Sequence, residues 1–184
     1  MRALVVYESM FGNTQRVALA IAAGLRATMQ AEAIEVTEAS PILAADVELL
    51  VVGGPTHSHG LTSPKSRTNA AERAGDRLVT RGVGIREWLD ALVPLPSGLA
   101  ATAFDTRIKG PELLWGSAAK GAAQRLRAHG FWVLPTASFL VGGPTGDPFD
   151  RIPEQELERA KAWGEKLAAE LAAAPVAHSH TSAG

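Results

Sequence analysis

The chain of 184 residues contains no cysteine. Disulfides, thiolate zinc sites and thiol catalysis are thereby excluded. Aromatic residues make up only 5%, and the one tyrosine, Tyr7, stands inside an apolar run. No apolar stretch approaches the ~20 residues that a membrane span requires, and no signal-type apolar region precedes the first predicted strand. An excess of one charge is also missing. The net charge of −1 gives no overall field directed at nucleic acid. Neither G-x-x-x-x-G-K-[ST] nor G-x-S-x-G occurs, which removes the NTPase and serine-hydrolase readings. No internal repeat is present. What remains is a 46% hydrophobic chain of a length that suits one well-buried core. The expectation is a single cytoplasmic domain over 1–173, with a small, polar, disordered tail over 174–184.

Three continuous apolar runs, Ala3–Tyr7, Val47–Val52 and Leu99–Phe104, have the composition of strands buried on both faces. Two other segments suit sheet edges. Ala33–Thr37 alternates apolar with polar residues, and Phe131–Ala137 contains Pro135, which cannot donate to a ladder. The order central, edge, central, central, edge predicts an α/β fold with a five-stranded parallel sheet of order 2-1-3-4-5, doubly wound with helices on both faces. Helical spacing predicts a first helix from Thr14 to about Met29. A second carries Ala119, Ala122, Ala123 and Leu126, opening near Ser117 and stopping at Gly130. A last one carries Leu157, Ala160, Gly164, Leu167 and Leu171, with Pro153 at its start. Between them, Gly53–Pro64 is expected as a loop, and a helix runs through Ile85, Trp88, Leu89 and Leu92. The intervening connection, 65–87, is too long for a simple crossover. It holds an extra short helix around Asn69–Val79 or is partly mobile.

The most informative segment is Glu8-Ser9-Met10-Phe11-Gly12-Asn13-Thr14, between the first strand and the first helix. Two hydroxyls flank a Gly-Asn turn at a helix start. Backbone N–H groups there point at an anion, and the helix dipole favours its charge. Gly12 permits a positive φ and a close approach. No Lys or Arg lies in the segment, so it would hold a phosphate by neutral dipoles.

This segment resembles the phosphate loop of the flavodoxin family. The family's wider signature is filled here by Val5, Val6, Tyr7, Ser9, Gly12, Thr14, Ala18 and Ile21. It departs at Phe11, where shuttle flavodoxins commonly have Thr, so one hydroxyl is absent. The resemblance implies FMN as cofactor, its phosphate held by Ser9, Met10, Phe11, Gly12, Asn13 and Thr14. A second stretch, Gly53-Gly54-Pro55-Thr56-His57-Ser58-His59-Gly60, is similar to the G-x-P-T loop of flavodoxin-like quinone reductases. It implies ring contacts from Pro55, Thr56, His57 and Gly60. The third loop, opening with Phe104-Asp105-Thr106-Arg107, implies contacts of Asp105, Thr106 and Arg107 with the pyrimidine edge, where the Asp105 charge could lower the reduction potential. Trp115 is the candidate flat partner for the ring, or else packs on its own helix. Trp88, Trp132 and Trp163 are expected in the core or between helices.

His57 and His59, or His178 and His180, are too few for a metal site, and none is expected. His57 near a flavin could relay a proton. From Lys65 to Glu87 there are six bases against three acids, a local excess of +3. Beside a flavin this suits an anionic small molecule better than a basic redox protein. Three functions stay open. One is an FMN-dependent oxidoreductase carrying electrons from NAD(P)H or a reductase to a quinone-like acceptor. The second is a flavodoxin-type carrier serving a redox partner protein. The third is a flavodoxin-like interaction module that has lost FMN.

Overall fold

A computed structural model describes residues 1–57, 60–93, 98–108, 116–142 and 151–173. The expectations for His59, Trp115, His178, His180 and the 174–184 tail fall outside these residues.

Among the described residues six strands form one parallel sheet: β1 (Arg2–Tyr7), β2 (Gln30–Glu35), β3 (Val47–Pro55), β4 (Ala100–Ile108), β5 (Trp132–Val133) and β6 (Ala137–Val141). The order is β2-β1-β3-β4-β5, with β6 also paired to β4. The winding is as expected from the apolar runs. Val5 lies between Ala33 and Val51, and Val51 faces Thr102 on the far side. The α-helices among the described residues are α1 (Asn13–Leu25), α2 (Pro64–Ala74), α3 (Ile85–Asp90), α4 (Ala118–Ala128) and α5 (Glu154–Ala173).

Alternation along the strands divides the core in two. Ala3, Val5, Leu49, Val51 and Phe104 face α1 and α5. Val6, Leu50, Val52, Ala101 and Ala103 face α3 and α4. On α1, Val17, Ile21 and Leu25 are fully buried, and each such side chain contributes about 1.5–3 kcal/mol through removal from water. α1 and α5 cross with main chains in contact. A Cβ on Gly24 would run into the carbonyl oxygen of Lys161, and one on Gly164 into that of Ile21.

Several boundaries differ from the sequence reading. The fifth strand is two short pieces. Trp132–Val133 and Ala137–Val141 flank a break at Pro135, whose carbonyl accepts a 2.8 Å hydrogen bond from the Thr102 hydroxyl. β3 continues through Gly53-Gly54-Pro55 where a loop was expected. The glycine is needed there, because the Phe104 ring of β4 occupies the space of a Gly53 side chain. Asp105, Thr106 and Arg107 belong to β4 and not to a loop; they pair with Ser138, Phe139 and Leu140 of β6. The extra helix in the long connection starts at Pro64, five residues before the expected position. Ser63 caps it by accepting from Ser66 N, while Ser66 Oγ accepts from Ser63 N. A 3₁₀ turn follows at Gly75–Arg77. Trp88 is buried, its indole N–H donating to Ala39 O, and Trp163 meets Phe139 edge-on. Trp132 is half exposed, on the outermost strand and outside the core.

Candidate functional site at the carboxyl ends of the strands

Beyond Tyr7 the chain adds one more rung, Glu8 N–H to Gly53 O at 2.9 Å, and then turns. Gly12 has φ +88° and forms the cap of α1. That left-handed conformation is open to glycine at little steric cost. Ser9 closes the loop into a ring. Its Oγ accepts from Gly12 N–H at 3.1 Å and from Gln15 N–H at 3.2 Å. These contacts occupy both lone pairs and leave the hydroxyl proton for an acceptor. The Asn13 and Thr14 N–H groups, in the first turn of α1, have no acceptor within the helix. The loop is thus a ring of donors with no cation.

The two other strand ends are tied to it. Thr14 Oγ1 lies 2.7 Å from Thr106 Oγ1, both buried, joining α1 to β4. Thr56 N–H donates to Thr106 O at 2.9 Å. The Thr56 hydroxyl donates to Asp105 Oδ2 and accepts from Ala118 N–H. Asp105 is wholly buried, and its Oδ2 also takes the Ser117 hydroxyl at 2.6 Å and Ala119 N–H at 3.0 Å. That carboxylate oxygen therefore anchors the start of α4, where the dipole favours its charge. Its Oδ1 has no hydrogen-bond partner among the described residues.

The long connection lies against the loop from the other side. Glu8, also wholly buried, accepts from the Thr62 hydroxyl at 2.5 Å and from Ile85 N–H at 2.9 Å. Arg67 donates to that hydroxyl at 3.1 Å and pairs with Glu87 at 3.0 Å. Burial pushes the Glu8 carboxyl above its ordinary value, outweighing the Thr62 and Ile85 bonds and the Arg67 charge. Glu87, despite a burial that pushes it up, is held below its ordinary value by Arg67 and by N–H donors. Thr80 meets Ser9 through two bonds. Its N–H donates to Ser9 O, and its hydroxyl accepts from Ser9 N–H, both at 2.9 Å.

His57 and Gly60 exchange backbone hydrogen bonds at 3.0 and 3.1 Å. Burial, with the Arg73 charge second, holds the His57 imidazole below its ordinary value, which favours the neutral form. Beside it is a cleft of about 360 Å³ lined by His57, Leu61, Ser63, Lys65, Asn69 and Arg86, with no carboxylate in its wall among the described residues. A larger hollow, of about 540 Å³, lies at the opposite end of the strands around Met1, Arg2 and Gln30 and touches none of these loops.

Ser9, Gly12, Thr14, Thr56, Asp105 and Thr106 are thus brought into one hydrogen-bonded array. Met10 is there by its main chain only; its side chain is 1% exposed, in the core, and its carbonyl accepts from Val79 N–H. The Asn13 side chain faces elsewhere, accepting from Ile152 N–H at 2.9 Å. Phe11 is half-buried, Arg107 lies on β4, and Pro55 ends β3. The sequence reading missed Glu8, Glu35, Thr62 and Thr80, and took Ser117 only as the opening of a helix, which it caps. Of the four missed, only Glu8 had a signal, its place in the loop. Among the described residues no group of three or more His, Asp or Glu could hold a metal, and no helix is long and apolar enough to cross a membrane.

No family model and no curated protein matches the chain. Solved structures do. A flavodoxin from the domain Archaea is 23% identical and superposes with a TM-score of 0.63 over 94% of this chain and 99% of its own. A flavodoxin of Streptococcus pneumoniae TIGR4 gives 18% and 0.62, over 92% and 99%. A flavodoxin, WrbA-like protein from Agrobacterium tumefaciens gives 18% and 0.52, over 93% and 97%. The fold is flavodoxin-like. In a flavodoxin-like sheet the crevice outside the carboxyl ends of β1, β3 and β4 is the general ligand position, and the donor ring occupies it.

Proposed function

We propose that the chain binds FMN and works as a redox protein, passing electrons from a reduced nicotinamide or a reductase to a quinone-like acceptor. The observation that supports this best is the ring formed by Ser9 Oγ with the N–H groups of Gly12 and Gln15, at the positive end of α1. The ring leaves the Ser9 hydroxyl proton to donate, and with the first-turn N–H groups of α1 this suits a phosphate monoester. When bound, FMN supplies the hydride and electron chemistry. The chain binds and orients the cofactor. Ser9 and the first turn of α1 would hold the phosphate, and Thr56, His57 and Gly60 border the place of the ring. Neutral His57 is a proton carrier at the edge of the cleft. Lys65 and Arg86 in the cleft wall, with no carboxylate opposing them among the described residues, favour an anionic small donor there.

The second reading is an electron carrier without its own substrate. The names of the archaeal and streptococcal structures favour it. So does the inward use of two of the six bases. Arg67 pairs with Glu87, and Arg86 donates to the carbonyls of Leu61 and Thr62. An absorption spectrum of the FMN-loaded protein separates the two. Bleaching by NADPH and recovery with a quinone support the enzyme. Bleaching only by a partner reductase or dithionite supports the carrier.

A further inference from the structure

The connection between β3 and α3 does more than link elements, because its Thr80 is hydrogen-bonded to the phosphate loop and to β2 at once. The Thr80 hydroxyl lies 2.9 Å from Ser9 N and 2.6 Å from Glu35 Oε1, and Thr80 is 2% exposed. A backbone N–H only donates, so a Thr80 lone pair takes Ser9 N–H and the Thr80 proton goes to Glu35. The direction of both bonds is therefore fixed. Thr80 N–H to Ser9 O and Val79 N–H to Met10 O complete a short ladder-like pairing along the loop. Glu35 is itself held, accepting from Thr37 N–H at 3.0 Å and from the Thr37 hydroxyl.

Two consequences follow for the loop. Ser9 N–H is turned away from the cradle, towards Thr80. With the amide plane fixed, the Ser9 side chain is placed where its oxygen can take Gly12 and Gln15 N–H and its proton is left over. A site of neutral dipoles depends on this aim more than a site with a Lys or Arg does, because no long-range charge compensates for a misdirected donor.

Resting on the reading of this loop as a phosphate site, we propose that Thr80, backed by Glu35, is a positioning residue for the cofactor's phosphate. The 79–80 segment then acts on the cofactor site through the main chain of Ser9 and Met10.

The test compares FMN with riboflavin, which has the same ring and no phosphate. Affinities come from quenching of flavin fluorescence by the native chain, Thr80→Val, Thr80→Ala and Thr80→Ser. The expected result is an FMN affinity about tenfold weaker in Thr80→Val and Thr80→Ala, the scale of one lost hydrogen bond. Riboflavin affinity stays unchanged, and Thr80→Ser regains most of the FMN affinity. Thr80→Ala adds no methyl to the buried site and keeps the test open if Thr80→Val does not fold. Equal losses for FMN and riboflavin would mean a merely structural residue and overturn the proposal, as would an unchanged FMN affinity. Failure of the native chain to bind FMN would instead remove the cofactor reading itself.

Discussion

The Glu8 carboxylate and the Thr62 hydroxyl lie 2.5 Å apart, out of reach of solvent, directly beside the phosphate loop. A carboxyl raised above its ordinary value of 4.5 by burial binds protons more readily in the folded than in the unfolded chain. Its contribution to stability is fully present below the unfolded value and is lost as pH rises through the folded one. Glu87, and Glu156 on α5 where the Arg159 guanidinium pairs with it at 2.6 Å, are both lowered, act in the opposite sense and lose their contribution as pH falls. Urea midpoints of the native chain and of Glu8→Gln, measured from pH about 4.5 upward, isolate the Glu8 part. The native chain is expected to lose ground against Glu8→Gln as pH rises. A difference that does not vary with pH contradicts the assignment.

Asp105 is expected to be a structural anchor. Three donors converge on its Oδ2, and two of them, Ser117 and Ala119, belong to the start of α4. Asp105→Asn replaces charge-assisted bonds by weaker ones and places an amide donor among donors. A loss of about 1–3 kcal/mol in denaturant unfolding is expected. Undiminished stability would show that the array does not depend on the carboxylate.

The crossing of α1 and α5 leaves no room at Gly24. Gly24→Ala places a methyl on the carbonyl of Lys161 and close to Glu165 N, at 2.9 Å. Overpacking of this kind costs about 1–3 kcal/mol or more, and the better helix propensity of Ala returns up to about 1. A lowered thermal midpoint is expected, and likewise for Gly164→Ala. A raised midpoint in either variant would show that the helices separate without cost.

The phosphate contacts give a further expectation. Ser9→Ala with Thr14→Val removes the loop-closing oxygen and the tie to Thr106. FMN binding is expected to weaken by about 1–3 kcal/mol per lost bond to the charged group. Calorimetric titration measures it, and an affinity equal to that of the native chain would rule out these contacts.

How much of this was legible in the sequence depended on range. β1, β3 and the loop between β1 and α1 could be read because apolar runs and a Gly-Asn turn are local signals. The helix at Pro64 was legible too, in Ser63-Pro64 followed by Ser66, but the polar composition of 65–84 obscured it. Asp105-Thr106-Arg107 read as loop because buried strands seldom contain such residues. Asp105 and Thr106 are accommodated in the strand because Thr56 and the start of α4 bond Asp105 Oδ2 and Thr14 bonds the Thr106 hydroxyl. The pairs Glu8–Thr62, Ser9–Thr80 and Thr80–Glu35 join residues distant in sequence, brought together only by the fold. No periodicity announces them. Pro135 correctly marked an edge, and its missing N–H also interrupts the strand it marks.

The central claim is that an uncharged ring of amides and hydroxyls at the start of α1 binds FMN. Titrating the folded chain into FMN while following flavin fluorescence, then dialysing, tests it most directly. Saturable quenching and a yellow protein after dialysis are expected. Unquenched fluorescence over the whole titration and a colourless protein would contradict it.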